Sequence, residues 1–245
     1  MFRPKISVIT VCYNAEKEIK KTMLSVLQQT YDNIEYLIFD GKSNDNTLKI
    51  INKIRVSYPN RDIHIISEAD NGIYDAMNKG ISLASGEWLN MMNAGDVFTD
   101  LDVIQNVVDS GLMLNSSFVY SDFIADNGKS KRKIFQSYES GKILHQSSIY
   151  KKELHEKYGL FYVTHPYIVS DYLFFLQIPK YEFAKYDQPI SINDTSGVSM
   201  QGYWMEYGRI SADYMMRRTT ERQFVCKIIT RYCINRIKRI IGFLR

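Results

Sequence analysis

The sequence predicts an α/β protein with a mostly parallel sheet flanked by helices. Three observations predict it. Short apolar runs rich in β-branched residues recur at 6–11, 34–39, 63–67 and 87–92. Helical periodicity fills the stretches between them, and polar residues stand at the C-terminal end of each run.

Residues 6–11 read as a buried strand, and 14–29 as a helix carrying Ile19, Met23, Leu24, Val26 and Leu27 at helical spacing. A second strand at 34–39 ends in Asp40 and Gly41. Ser43, Asn44, Asp45 and Asn46 then offer caps for a helix over 48–54. A third strand and helix follow at 63–67 and 73–83. The fourth strand, 87–92, runs into Asn93-Ala94-Gly95-Asp96. Beyond it, 118–123 reads as a strand, and Asp126-Asn127-Gly128-Lys129 as a hairpin turn into 132–136. A helix opens at Asp171, and the proline-free stretch 202–245 reads as helical.

In a parallel sheet ligands bind beyond the C-terminal strand ends. Tyr13, Asn14, Asp40, Glu68, Asp70 and Asp96 are therefore brought to one edge. Neither GxGxxG after the first strand nor GxxxxGK[ST] anywhere is present, which argues against a dehydrogenase or a P-loop enzyme. Three scattered cysteines, Cys12, Cys226 and Cys233, argue against a disulfide framework and a zinc site. The net charge of +4 divides unevenly: residues 217–245 carry +8 and the remainder −4. An acidic body with a basic tail suits a surface anchor better than nucleic-acid binding. Taken alone, Asp40 also fits a turn residue, Asn93 to Asp96 a turn after a strand, and Asp171 a first-turn helix acid.

The segment SVITVCYNAEKEIKKTMLSVLQQTYDNIEYLIFDGKSNDNT resembles the opening of the family 2 glycosyltransferases, which have the GT-A fold. EADNGIYDAMNKGISLASGEWLNMMNAGD, HQSSIY and SDYLFFLQI follow in matching order, so the resemblance spans roughly residues 5 to 200 and is nearest to bacterial O-antigen, capsule and colanic-acid enzymes. It implies a catalytic domain at 1–200, with a nucleotide-binding half at 1–96 and an acceptor-side half at 97–200, followed by a basic helical segment at 201–245. The implied reaction is inverting transfer of a hexose or N-acetylhexosamine from a nucleotide-sugar, read as a UDP-sugar, to a polyprenyl-diphosphate-linked glycan. A GDP- or dTDP-sugar enzyme and a nucleotide-binding relative without turnover are the alternatives.

The resemblance also assigns residues. Val11, Tyr13, Asn14 and Asp40 would hold the nucleotide, with Tyr13 against uracil and Asp40 on its N3–H. Asp70, Gly72, Asn78 and Lys79 would line the diphosphate and sugar, and Asn93, Ala94 and Gly95 would complete that wall. Asp96 would hold Mn²⁺ or Mg²⁺; Asn93 and Gly95 stand where the family carries further acids. Asp171 would be the catalytic base. His145, Ser196 and Gly197 would face the donor sugar and acceptor.

On a helical wheel Lys227, Arg231, Lys238 and Arg245 share one face of the tail, opposite Val225, Ile229, Tyr232, Ile237, Ile240, Ile241 and Leu244. That pattern predicts contact with an anionic membrane surface, with packing on the domain or on a second subunit of a homodimer as the alternative. Without a signal peptide or a spanning segment in the sequence, the expected location is cytoplasmic, on the inner face of a bacterial inner membrane.

Overall fold

The computed structural model describes residues 2–141, 143–163, 169–195 and 204–243. The apolar runs become β1 (Ile6–Cys12), β2 (Ile34–Asp40), β3 (Asp62–Ser67) and β4 (Trp88–Met91). They are parallel and adjacent in the order β3-β2-β1-β4. Every residue of β1 and β2 is buried, as strands covered on both faces require. Glu35 is buried too, and its carboxylate accepts from Ser7 Oγ and from Ser85 N and Oγ.

Alternation along β1 splits the core between the two faces. Ile6 and Val8 pack with residues of α1 (Ile19–Leu27) and α2 (Thr47–Ser57). Ile9 and Val11 pack with α3 (Ile73–Leu83). α1 begins five residues later than its periodicity suggests, because residues 13–18 form a loop fastened to the β2–α2 connection. Asn14 sits at φ 48° and accepts from Asn44 N at 3.0 Å, while Ala15 N donates to Thr47 Oγ1 at 2.7 Å.

The second half continues with β5 (Val97–Phe98), α4 (Val103–Asp109), α5 (Leu112–Asn115), β6 (Phe118–Ser121), β7 (Phe123–Asp126) and β8 (Lys131–Ile134). Then come β9 (Ser148–Lys151), α6 (Glu153–Tyr158), α7 (Ser170–Gln177), β10 (Phe183–Tyr186) and β11 (Ser191–Asp194). The single strand expected at 118–123 is two strands in different sheets. β6 extends the main sheet, whose order is β10-β6-β9-β4-β1-β2-β3 with β9 antiparallel to both neighbours. β7 belongs to a smaller sheet of order β5-β11-β7-β8. The crossing point is Asp122, buried and held by Lys185 at 2.7 Å, Lys133 at 3.3 Å and Gln136 N at 2.9 Å.

The expected C-terminal helix is a hairpin of α8 (Trp204–Met215) and α9 (Glu221–Phe243). Arg217, at φ 55°, ends the first helix. Two cations expected to face a membrane instead turn inward: Lys227 pairs with Asp213 at 3.8 Å and Arg231 with Glu206 at 2.7 Å, both on α8. The outward stripe carries Val225, Ile229 and Tyr232, all exposed, together with Arg222 and Arg236. The side chains of Lys238, Ile240 and Ile241, with Leu244 and Arg245, lie outside the described residues. Among the described residues no helix is long and apolar enough to cross a membrane.

Candidate active site

Because β1, β2, β3 and β4 are parallel, Tyr13, Asp40, Glu68 and Asn93 emerge along one edge of the sheet. Tyr13 is exposed and lies near Gly41 and Asp70: a Cβ on Gly41 would sit 2.7 Å from Asp70 Oδ2 and 3.4 Å from the Tyr13 ring. A side chain at position 41 would therefore displace the Asp70 carboxylate. Val11 is buried one step back in β1. The Asp40 carboxylate is buried and accepts from Ser67 Oγ at 2.6 Å and from Ser43 N and Oγ.

The α3 segment is more self-contained than its assignment suggests. Gly72, at φ 107°, starts the helix while its N–H donates to Asp70 Oδ1 at 2.8 Å. Asn78 directs both ends of its amide at Phe161, through bonds of 2.8 and 3.0 Å. Lys79 Nζ meets Glu68 at 2.9 Å, Asp75 at 3.6 Å and the Ala69 carbonyl at 3.1 Å.

The turn after β4 is pinned from beneath. Ala94 N donates to the Val11 carbonyl at 3.3 Å, and Gly95, at φ 104°, donates to Thr22 Oγ1 at 2.9 Å. This conformation aims Asp96 inward. One of its oxygens accepts from Asp194 N at 2.9 Å and the other from Gln146 Nε2 at 2.8 Å. Burial pushes its pKa up to about 6, against the pull of those two donors and of His145. Among the described residues each oxygen accepts a single bond, which leaves lone pairs on a buried carboxylate. A hard divalent cation suits such a group. Among the described residues, the one His/Cys/Asp/Glu cluster with ligand atoms close together, Glu35, Asp62 and His64, lies at the opposite strand ends beside Lys5.

Asp171 stands in the first turn of α7 at the centre of a hydrogen-bonded row. Its Oδ1 accepts from Tyr74 Oη at 2.8 Å and Tyr172 N at 2.9 Å. Its Oδ2 meets His145 Nδ1 at 2.9 Å, and His145 Nε2 meets Asn93 Nδ2 at 3.0 Å. Burial drives the Asp171 pKa up, but the hydrogen bonds from His145 and the Tyr74 hydroxyl, with the charge of Arg209, bring it below the usual carboxylate range. One short 3₁₀ turn, His145–Ser147, thus presents His145 to Asp171 and Gln146 to Asp96.

The fold therefore brings Asn93, Asp96, His145 and Asp171 into one network, with Tyr13, Asp40, Asp70 and Gly72 in a second group. Ser196 and Gly197 lie outside the described residues. Three participants were missed in the sequence: Tyr74, Gln146 and Arg209. Arg209 of α8 lies 5.7 Å over the Tyr172 ring, and its charge acts on Asp171. Gln146 directly follows His145 in the HQSS motif, which was its available signal; Tyr74 and Arg209 look like ordinary helix residues.

The model of glycosyl transferase family 2 matches residues 7–168. The "PGL/p-HBAD biosynthesis glycosyltransferase" of Mycobacterium bovis (strain BCG / Pasteur 1173P2) is 30% identical over 168 residues, covering 68% of this chain and 64% of that protein. A Haemophilus influenzae glycosyltransferase is 36% identical over 95 residues, 38% of this chain and 29% of that one. Among solved structures, S. aureus TarS 1–349 in complex with UDP-GlcNAc superposes with a TM-score of 0.71 at 17% identity, over 86% of this chain and 65% of that one. A mannosyltransferase from Pyrobaculum calidifontis, in complex with GDP-Man and Mn²⁺, gives 0.67 at 17% identity over 90% and 66%. These two establish likeness of fold. The chain spans about two thirds of the length of its mycobacterial relative.

Proposed function

Because this chain belongs to glycosyl transferase family 2, we propose that it is an inverting glycosyltransferase moving a hexose or N-acetylhexosamine from a UDP-sugar to a lipid-linked glycan. The observation that carries the reading is the seating of Asp171. Among the described residues its Oδ1 accepts two bonds and its Oδ2 one, which leaves a lone pair on Oδ2 to receive an acceptor proton. In the reaction, the acceptor oxygen attacks the anomeric carbon as its proton passes to Oδ2. The bond from that carbon to the diphosphate breaks, and its electron pair departs with the nucleotide. Attack opposite the leaving group converts an α-linked donor into a β-linked product.

Tyr13 supports the uracil assignment as an exposed aromatic surface, and Asp40 as a carboxylate at the end of the neighbouring strand. Asp96 would hold Mn²⁺ or Mg²⁺, which when bound supplies positive charge for the departing diphosphate. The outward stripe of α9 supports placement on an anionic membrane, with apolar side chains in the acyl boundary and Arg222 and Arg236 at the headgroups. The corresponding location is the cytoplasmic face of a bacterial inner membrane, in surface-polysaccharide synthesis.

A thermal-shift panel of UDP, GDP, CMP and dTDP, with and without Mn²⁺, tests the donor. UDP with Mn²⁺ should stabilise most; a clear preference for GDP overturns the Tyr13 and Asp40 assignment. Donor hydrolysis tests the chemistry. Asp171→Asn should reduce turnover on the order of 10²–10⁴-fold, and undiminished turnover removes Asp171 as the base.

A further inference from the structure

We infer that Asn93 and His145 form a positioning pair that fixes the orientation of Asp171 by selecting one tautomer of the imidazole. The inference rests on Asp171 acting as the base. His145 is buried between two side chains of opposite character. On one side the ionised Asp171 has only lone pairs to offer, so Nδ1 must carry the proton in the 2.9 Å contact. On the other side Asn93 Nδ2 donates to Nε2 at 3.0 Å, which requires Nε2 to be bare. The ring is then neutral, with its one N–H aimed at Oδ2.

Exchanging the two ends of the Asn93 amide is the alternative arrangement. It would place the amide oxygen on Nε2 and force a second proton onto the ring. It would also leave both N–H donors of Asn93 in the buried spot where Oδ1 has no partner among the described residues. With Nδ2 on Nε2 the ring needs one proton, whereas the exchange requires a second proton, and so a charge, on a buried ring, which favours Nδ2 on Nε2.

The consequence is specific to this reaction. A neutral ring donates one bond to Oδ2 and leaves Asp171 able to accept a proton. A doubly protonated ring would instead form a full ion pair with Asp171 and make it a poorer base. The charged groups nearest the network are Asp96, bonded to the neighbouring Gln146, and Arg209 beyond Asp171. Asparagine at 93 supplies a donor without adding an acid; aspartate there would attract a second proton to Nε2. Asn93 also belongs to the turn that carries Asp96, so the pair joins the donor-side turn to the acceptor-side base.

The test uses the full chain, whose four histidines allow the ring to be identified by its loss in His145→Gln. A long-range ¹H–¹⁵N spectrum of the wild type at pH 7 should show that ring protonated at Nδ1 and bare at Nε2. A ring protonated at Nε2, alone or with Nδ1, overturns the inference. In Asn93→Asp the same ring should carry both protons, and kcat for donor turnover should fall about tenfold or more. An unchanged ring or an unchanged kcat in a folded Asn93→Asp also overturns it. Should that variant misfold, the wild-type spectrum decides alone. Asp171→Asn keeps the two readings apart: if it retains turnover, the base assignment falls while the spectrum still reports the tautomer.

Discussion

His155 shows how far this core perturbs a titratable side chain outside the proposed chemistry. It stacks on Phe174 at 4.1 Å and meets Phe161 edge-on at 5.0 Å. Its Nε2 faces the Tyr150 hydroxyl at 3.1 Å, and Nδ1 faces the Gly159 carbonyl at the same distance. Burial first, with Lys152 adding to it, lowers its pKa to about 4, against the Gly159 bond. The unfolded chain takes up this proton near pH 6.5 and the folded chain near pH 4. Stability from His155 is therefore complete above pH 6.5 and is lost as pH falls toward 4, by about 3 kcal/mol in all. Urea unfolding across that window should show the loss, and His155→Gln should flatten it. An equal slope in both proteins would refute the assignment. His145, only ten residues away, was legible as a candidate because HQSS stood within one of the blocks that carry the family resemblance; His155, in ELHEKY, carried no such mark.

At the scale of elements, the close seating of α3 decides where Tyr74 meets Asp171. Gly80 makes that seating possible: a Cβ there would lie 2.6 Å from Ile9 Cγ2 and 3.3 Å from the Phe39 ring. Gly80→Ala should overpack this contact and lower stability by about 1–3 kcal/mol, read as a reduced melting temperature. It should also reduce turnover, because Tyr74 rides on the same helix; a variant as stable and active as the parent would contradict both points. The strands β1 to β4 and helix α3 were legible because each is a predominantly apolar run or a helical stripe. Of the smaller sheet only the β7–β8 hairpin was legible, from its turn at Asp126 to Lys129. The sheet's strands have two to four residues, and β8 is Lys-Arg-Lys-Ile, a sequence without an alternating apolar face. At the crossing between the sheets Asp122 gathers Lys133 and Lys185, a long-range contact no local window contains.

For the whole molecule, the hairpin of α8 and α9 joins the outer surface to the site. Tyr172, beside Asp171, bonds to Asp213 on α8 at 2.6 Å, and Asp213 also meets Lys227 of α9. The charge excess of the tail was legible in the sequence, but its use was not, because pairing of Lys227 and Arg231 with α8 depends on the turn at Arg217. Membrane contact therefore rests on the stripe rather than on those two cations. Ile229→Asp with Tyr232→Asp should reduce cosedimentation with phosphatidylglycerol vesicles several-fold, while Lys227→Gln should reduce it little. Equal binding by the double variant and the parent would discard the membrane assignment.

The order of strands in the main sheet also dictates a timetable for synthesis. β3, β2, β1 and β4 are contiguous in space and complete once residue 91 has been made. The flank of β4 then waits for β9, whose residues 148–151 are made some sixty residues later. During that interval a nascent chain bears an open, apolar strand edge, the kind of surface on which polypeptides aggregate. Ribosome pausing between residues 91 and 151 would prolong that exposure, so translation speed over this stretch should govern the yield of soluble protein more than speed anywhere after it.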